Sequence, residues 1–393
     1  MSSRLLRVPE CLSRLFSSSG NHNLDPNPNA YPKRLKTTIN YLCRERNPDK
    51  LVAAFKKSSE SYRFRCKHRI YEIVVRRLAA ASRPDAVEAI LEEQKRYTAD
   101  IAREGFAVRL ITLYGKAGMP ANATASFHQL PALGCPRSVM SFNALLSACA
   151  DAGDSDRMAA AFREIPAADP SIVPNLFSYN ILIRALCEKG DLDAAFDVLS
   201  LMEKNEIAPD LISFNTLLNG FYSNKRFSDA KKIWTLMGEK NIEPDTKSFN
   251  AKLRALVSEG KTSEAVELVD EMRRVGPKPD TFSFNALIKG YCQDGNLEEA
   301  KRLYLDLTKN DCAPNRWTFE TLIPALCEAG DLDLALKCCN DSMSRRCVVD
   351  ASVLQDVVDG LVKLSRAEEA KKLVELGRRN YYSRKDLRMP LSS

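Results

Sequence analysis

Histidine is nearly missing from this chain of 393 residues: His22, His68 and His128 are the whole complement. A metal centre or general base built on clustered imidazoles is therefore excluded over most of its length. Twelve cysteines are present, but no C-x-x-C pair occurs among them and Cys338–Cys339 are adjacent, so zinc-ligand spacing is lacking too. The cysteines read instead as small buried hydrophobes of a reducing compartment. No G-x-x-x-x-G-K-[ST] phosphate loop occurs, and no apolar run reaches the roughly 18 residues of a membrane span. No cofactor, membrane or small-molecule substrate is implied. What remains is 45% hydrophobic and 28% charged, enough apolar material for a packed core.

The net charge of +7 is unevenly placed. Residues 1–80 hold 17 basic against 6 acidic side chains, and the rest of the chain is net acidic. Residues 1–20 carry Arg4, Arg7 and Arg14, six serines and one acid, Glu10, with Leu5, Leu6, Leu12, Leu15 and Phe16 as an apolar face. That is the composition of a mitochondrial transit peptide. Asn- and Pro-rich residues 21–32 read as a disordered linker.

A period of 35 residues decides the architecture. Asn143, Asn180, Asn215, Asn250 and Asn285 each follow an aromatic residue: Phe142, Tyr179, Phe214, Phe249 and Phe284. Glycine recurs at 118, 153, 190, 260, 295 and 330, and proline at 174, 209, 244, 279 and 314. Alanine recurs at 123, 195, 230, 265, 300, 335 and 370. Each unit holds two apolar stretches at helical spacing, as in Phe214, Leu217, Leu218, Phe221 and then Ala230, Ile233, Trp234, Met237. A polar break separates them and Pro-Asp closes the unit. One such hairpin cannot bury both faces, but a stack can. The expectation is an all-α fold, a right-handed α-solenoid of about 9–10 stacked helical hairpins lined on its concave side by the first helices. Its units fall at 67–103, 104–138, 139–175, 176–210, 211–245, 246–280, 281–315, 316–350 and 351–385, preceded by a basic irregular hairpin at 33–66 and followed by a tail, 386–393.

At these residues the sequence resembles the pentatricopeptide repeat family, the unit 176–210 (LFSYNILIRALCEKGDLDAAFDVLSLMEKNEIAPD) throughout. The tetratricopeptide marker W-x2-L-G-x2-Y is replaced by Y/F-N-x-L-I with a closing P-D. Residues 63–81, 105–119 and 141–153 further resemble a plant subgroup of short mitochondrial members associated with the ribosomal small subunit. The resemblance implies RNA as partner, together with mitoribosomal proteins. It implies that the fifth and last residues of a unit read a base edge: Asn143/Asn175, Asn180/Asp210, Asn215/Asp245, Asn250/Asp280 and Asn285/Asn315. In the family Asn with Asp suggests uracil, and Asn with Asn cytosine or uracil, so the row reads Y-U-U-U-Y. It also implies that the second residue stacks on the base: Met140, Phe177, Ile212, Phe282 and Trp317, with Lys247 departing from the pattern. A structural reading stands beside this one. Asp or Asn just before a helix is an ordinary N-cap, and Asn in a first turn satisfies backbone groups.

The family commonly places Lys at position 13, near the phosphates. Here that column is Lys116, Asp151, Glu188, Ser223, Ser258, Gln293, Glu328 and Lys363, which argues for weak general attraction to RNA. The basic surface is expected over residues 31–80, at Arg44, Arg46, Lys56, Lys57, Arg63, Arg65, Lys67, Arg69, Arg76 and Arg77, with Tyr62, Phe64 and Tyr71 as aromatic contacts to rRNA. Arg378, Arg379, Arg384, Lys385 and Arg388 make a smaller patch. No histidine follows His128, so no H-x-E with P-C-x-x-C deaminase module follows the repeats, and no enzyme is expected. Three readings result: an RNA-binding adaptor of the mitochondrial ribosome small subunit, a free transcript-binding factor, and a protein-only scaffold.

Overall fold

The computed structural model describes residues 31–380, 382 and 386–389; the expected transit peptide, nearly all of the linker, and Arg384 and Lys385 lie outside them. All regular elements among the described residues are helices. The chain divides into two compact units at Pro136/Arg137, inside the stretch expected as one repeat array, and each unit is described by itself.

The first unit holds α1 (Tyr31–Arg44), α2 (Pro48–Ser59), α3 (Tyr62–Arg65), α4 (His68–Ala80), α5 (Pro84–Glu92), α6 (Thr98–Ile101), α7 (Glu104–Lys116) and α8 (Pro120–Gln129). Residues 31 and 32, read as linker from sequence, already open α1. Helices α1/α2, α4/α5 and α7/α8 pack as hairpins, and α4 stacks on α7. Phe55, Phe64 and Tyr71 interlock edge to face at its centre, with Phe55–Tyr71 centroids 4.8 Å apart. Phe64 and Tyr71 are therefore core residues rather than surface aromatics, and only Tyr62 of the three is exposed. They are the largest apolar side chains in a stretch dense in charge, so burial takes them first.

The second unit is a stack of seven hairpins: α9 (Val139–Asp151) with α10 (Ser155–Ala168), α11 (Leu176–Lys189) with α12 (Leu192–Lys204), and α13 (Leu211–Ser223) with α14 (Phe227–Glu239). Then follow α15 (Thr246–Ser258) with α16 (Thr262–Val275), α17 (Thr281–Gln293) with α18 (Leu297–Leu307), α19 (Arg316–Glu328) with α20 (Leu332–Ser344), and α21 (Ala351–Lys363) with α22 (Ala367–Asn380). Each odd helix stacks on the next odd helix, and each even helix packs on its own partner and mostly on the following odd one, so two layers form. The aromatic column Phe142, Tyr179, Phe214, Phe249, Phe284 and Phe319 is buried between them. The recurring alanines, 195 to 370, are fully buried where the two layers cross. Ala230→Leu is expected to cost about 1–3 kcal/mol by overpacking that crossing, read as a lower urea midpoint.

The turn inside each of these seven hairpins holds one residue in left-handed backbone. Gly190 ends α11 at φ 85°. One period on, Lys225 holds the same place at φ 59°, as does Ser365 at the last hairpin. An L-residue there carries a steric cost that glycine lacks. Lys225→Gly is expected to stabilise the unit by up to about 1 kcal/mol, net of glycine's entropy, seen as a raised melting midpoint.

The described cysteines are free thiols. Burial pushes the Cys187 and Cys338 thiols up to about 12 and Cys292 up to about 11, far from thiolate reactivity. A thiol reagent added to folded protein is expected to modify exposed Cys43 and Cys66 at once, and buried Cys135, Cys149, Cys187, Cys338 and Cys339 only on unfolding.

Candidate nucleic-acid interface

Each first helix from α11 to α19 begins with the same device. Asn175, Asp210, Asp245, Asp280 and Asn315 are N-caps whose side chains accept the backbone N–H of the residue three further on. The residues at that position are Ser178, Ser213, Ser248, Ser283 and Thr318, whose hydroxyls accept the cap's own N–H in return. All five hydroxyl residues are fully buried.

The caps are tied to the preceding unit. Asn143, Asn180, Asn215, Asn250 and Asn285 donate Nδ2–H to Oδ1 of the caps at 3.0–3.2 Å. Their Oδ1 atoms accept from the buried hydroxyls at 2.5–2.7 Å. The amide orientation follows from chemistry. A capping carboxylate only accepts, and a capping Asn already uses its oxygen on a backbone N–H, so the partner Asn must present its NH2. Every pair named from sequence is thus brought together, and the N-cap role holds for the same residues. The serine column was missed from sequence, although Asn/Asp-x-x-Ser/Thr at each unit start is a legible capping-box signal. Ser248→Val is expected to cost about 1–3 kcal/mol, because it strands Asn215 Oδ1 and the Asp245 N–H; denaturant titration reads this.

The chain of bonds leaves specific groups over. Each Asn keeps one amide hydrogen and one oxygen lone pair. Bonds to Asp210, Asp245 and Asp280 go to Oδ1, so Oδ2 stays an open acceptor. Where Asn315 is the cap, an NH2 donor stands in that place. An acceptor there suits the N3–H of uracil, and a donor suits the bare N3 of cytosine.

The second residues of the units stand beside this row. Met140, Phe177, Ile212, Phe282 and Trp317 are all exposed, Phe177 at 71% and Trp317 at 67%. Large apolar side chains left outside a core in five units of the stack are an unusual use of hydrophobic surface. Lys247 is exposed in the same column. The row ends at the unit 316–350. There Glu320 replaces Asn and pairs with Arg316 at 2.7 Å, and Arg316 reaches Asp350 at 2.6 Å. In the acidic column Asp151 and Glu188 are both met by Arg184, at 3.2 and 3.8 Å.

In the first unit the basic residues separate into two kinds. Arg44, Arg46, Lys57, Arg63, Lys67, Arg69 and Arg76 are exposed and Lys56 is half-buried. Arg65 turns inward: it pairs with the buried Asp100 at 2.5 Å and donates to the carbonyls of Ser59 and Glu60 at the end of α2. Arg77 likewise donates to the carbonyls of Leu42 and Cys43 in the last turn of α1 and of Glu45 just after it. These two close helix C-termini, where orphan carbonyls attract cations. Arg109, absent from the sequence-based patch, lies buried between the Tyr71 and Phe106 rings, 4.5 and 4.3 Å from their centroids. Burial holds its guanidinium below the usual arginine range. Of the C-terminal patch, Arg378 is bonded to the Leu387 carbonyl.

Stacked hairpins carrying a periodic row of polar pairs define a helical-repeat protein. The PPR repeat family model matches residues 174–222, 209–257, 246–293 and 279–328, and the pentatricopeptide repeat domain model matches 127–186. Together they span 127–328, just over half of the chain, and the chain belongs to the pentatricopeptide repeat family. It is 45% identical over 205 residues to the small ribosomal subunit protein mS78 (rPPR3a) of Arabidopsis thaliana, covering 51% of each chain. It is 41% identical over 190 residues to mS79 (rPPR3b) of the same plant, covering 48% of this chain and 46% of that one. The chain thus spans about half the length of these curated relatives. Among solved structures, the crystal structure of the maize pentatricopeptide repeat protein PPR10 is similar with a TM-score of 0.45 and 18% identity, over 89% of this chain and 58% of that chain.

Proposed function

We propose that this protein binds single-stranded RNA along the row Asn143 to Asn315 and serves as a component or adaptor of the small subunit of the plant mitochondrial ribosome, in the matrix. The observation that carries the RNA reading is the row itself. Two Asn–Asn and three Asn–Asp pairs leave base-edge donors and acceptors open beside five exposed apolar side chains. The ribosomal reading is supported by mS78 and mS79, named as small ribosomal subunit proteins. Exposed cations on the first unit suit rRNA phosphates. The protein acts by binding, without a catalytic step; its similarity to ribosomal and repeat proteins supports this.

Sucrose-gradient sedimentation of a mitochondrial lysate, with RNA crosslinking of each fraction, tests the proposal. Co-migration with the small subunit and crosslinks to rRNA are expected. Recovery only in light fractions would overturn the ribosomal role. Crosslinks confined to one mRNA would point to a free transcript factor, and an absence of crosslinks to a protein scaffold.

A further inference from the structure

The residue four positions after each row Asn lies one helical turn further along the same face. In successive units this column is Ser147, Arg184, Asn219, Arg254 and Lys289. Its cations do not stand alike. Arg184 lies between Asp151 and Glu188 and is neutralised by them. Arg254 is exposed and donates only to the neutral amide of Asn219, and exposed Lys289 has no ion-pair partner among the described residues.

Charge elsewhere on the face changes at the same point. The thirteenth residues are acidic in the first two units (Asp151, Glu188), neutral in the next three (Ser223, Ser258, Gln293) and acidic again at Glu328. Lys247 adds a third exposed cation in the second-residue column of α15. Arg254, Lys289 and Lys247 therefore form an island of positive charge on α15 and α17, between neutral α13 (Asn219, Ser223) and α19 with its Glu328. Asp245 and Asp280, the caps of these two helices, already accept backbone and Asn hydrogens through Oδ1.

Resting on the RNA-binding reading above, we propose that Arg254 and Lys289 are a backbone-phosphate site, a sequence-independent anchor for a single strand on the row. Their charge is unmatched by protein, they sit one turn from the base-facing amides, and phosphate is the group of a nucleic acid that requires such partners. A strand displaced toward α19 would bring a phosphate to Glu328, which lies beyond the row. Base contacts choose the sequence, and this pair holds the strand.

The test is fluorescence anisotropy of the full chain with a labelled C-U-U-U-C RNA and with a purine-substituted RNA of equal length, over 50–200 mM salt. Arg254→Gln and Lys289→Gln are each expected to weaken both RNAs by the same factor and to lower the salt slope by about 0.7, and the double variant by about 1.4. Arg184→Gln is the internal control and is expected to leave the slope unchanged. All three side chains are at the surface, and thermal melts coincident with wild type verify folding. Unchanged slopes with normal wild-type binding overturn the phosphate site alone. An Arg184→Gln loss equal to that of Arg254→Gln overturns it too. Absence of wild-type binding overturns the RNA-binding reading and this site with it.

Discussion

Asn215→Ala combined with Asn250→Ala is expected to lower affinity for a C-U-U-U-C RNA by about 30-fold or more, at about 1–3 kcal/mol for each lost base contact. The double variant should still fold. Without its Asn partner the Ser248 hydroxyl has the Asp245 oxygen at 3.1 Å, and Ser283 has Asp280 at 3.2 Å. Both capping boxes survive on their own helices. Anisotropy titration reads the affinity, and a matched urea midpoint confirms that folding is intact. A conservative change makes the same argument from the other side. Asp245→Asn keeps the cap and replaces the open acceptor by a donor, so the preferred base at that unit should move from uracil toward cytosine. A cytosine-substituted probe measures that shift. Equal binding to scrambled RNA by wild type would remove base reading from this row and leave its residues as caps.

Arg65→Met is expected to destabilise the first unit by about 1.5–3 kcal/mol, because buried Asp100 keeps Arg103 but loses the other of its two cationic partners. Asp100 is 4% exposed, and Arg65 meets it while also closing the end of α2 over the Ser59 and Glu60 carbonyls. The Arg65 guanidinium also lies 4.0 Å from the Tyr97 ring centroid. Removing it breaks an ion pair, two carbonyl contacts and a cation–π contact together. The loss is expected as faster amide hydrogen exchange through α2, α3 and α4. Lys67→Gln, two residues away and exposed, is expected to change exchange little, within the roughly 0.5 kcal/mol of an ordinary surface substitution, while weakening RNA binding. The contrast separates cations that hold the fold from cations available to RNA, a division that composition does not reveal.

The stack was legible before any coordinates because each unit repeats its own instructions. Phe214, Leu217, Leu218 and Phe221 mark one helix face, Asp210 its start and Pro244 the end of its partner's exit loop. The pairs Asn215/Asp245 and Asn250/Asp280 were legible through the family resemblance, once the period had fixed both columns. The third member of each network, Ser248 or Ser283, was overlooked because serine near a helix start is common and its bond crosses to another unit. Arg65, Phe64 and Tyr71 were misplaced for a related reason. In a short stretch rich in charge and aromatics, periodicity is too weak to say which side chains turn inward.

Sequence by itself determined the helices, their period and the chemical types placed at each column, since those depend on local capping and on apolar spacing along one chain. Tertiary structure alone decided which atoms of those columns remain open. Whether Asn180 faces a base with one free hydrogen, whether Arg184 is neutralised while Arg254 is not, and whether Arg65 holds α2 or a phosphate all depend on partners some 30 residues away. A hydrogen bond or ion pair satisfies a group only through geometry, and stacking supplies that geometry.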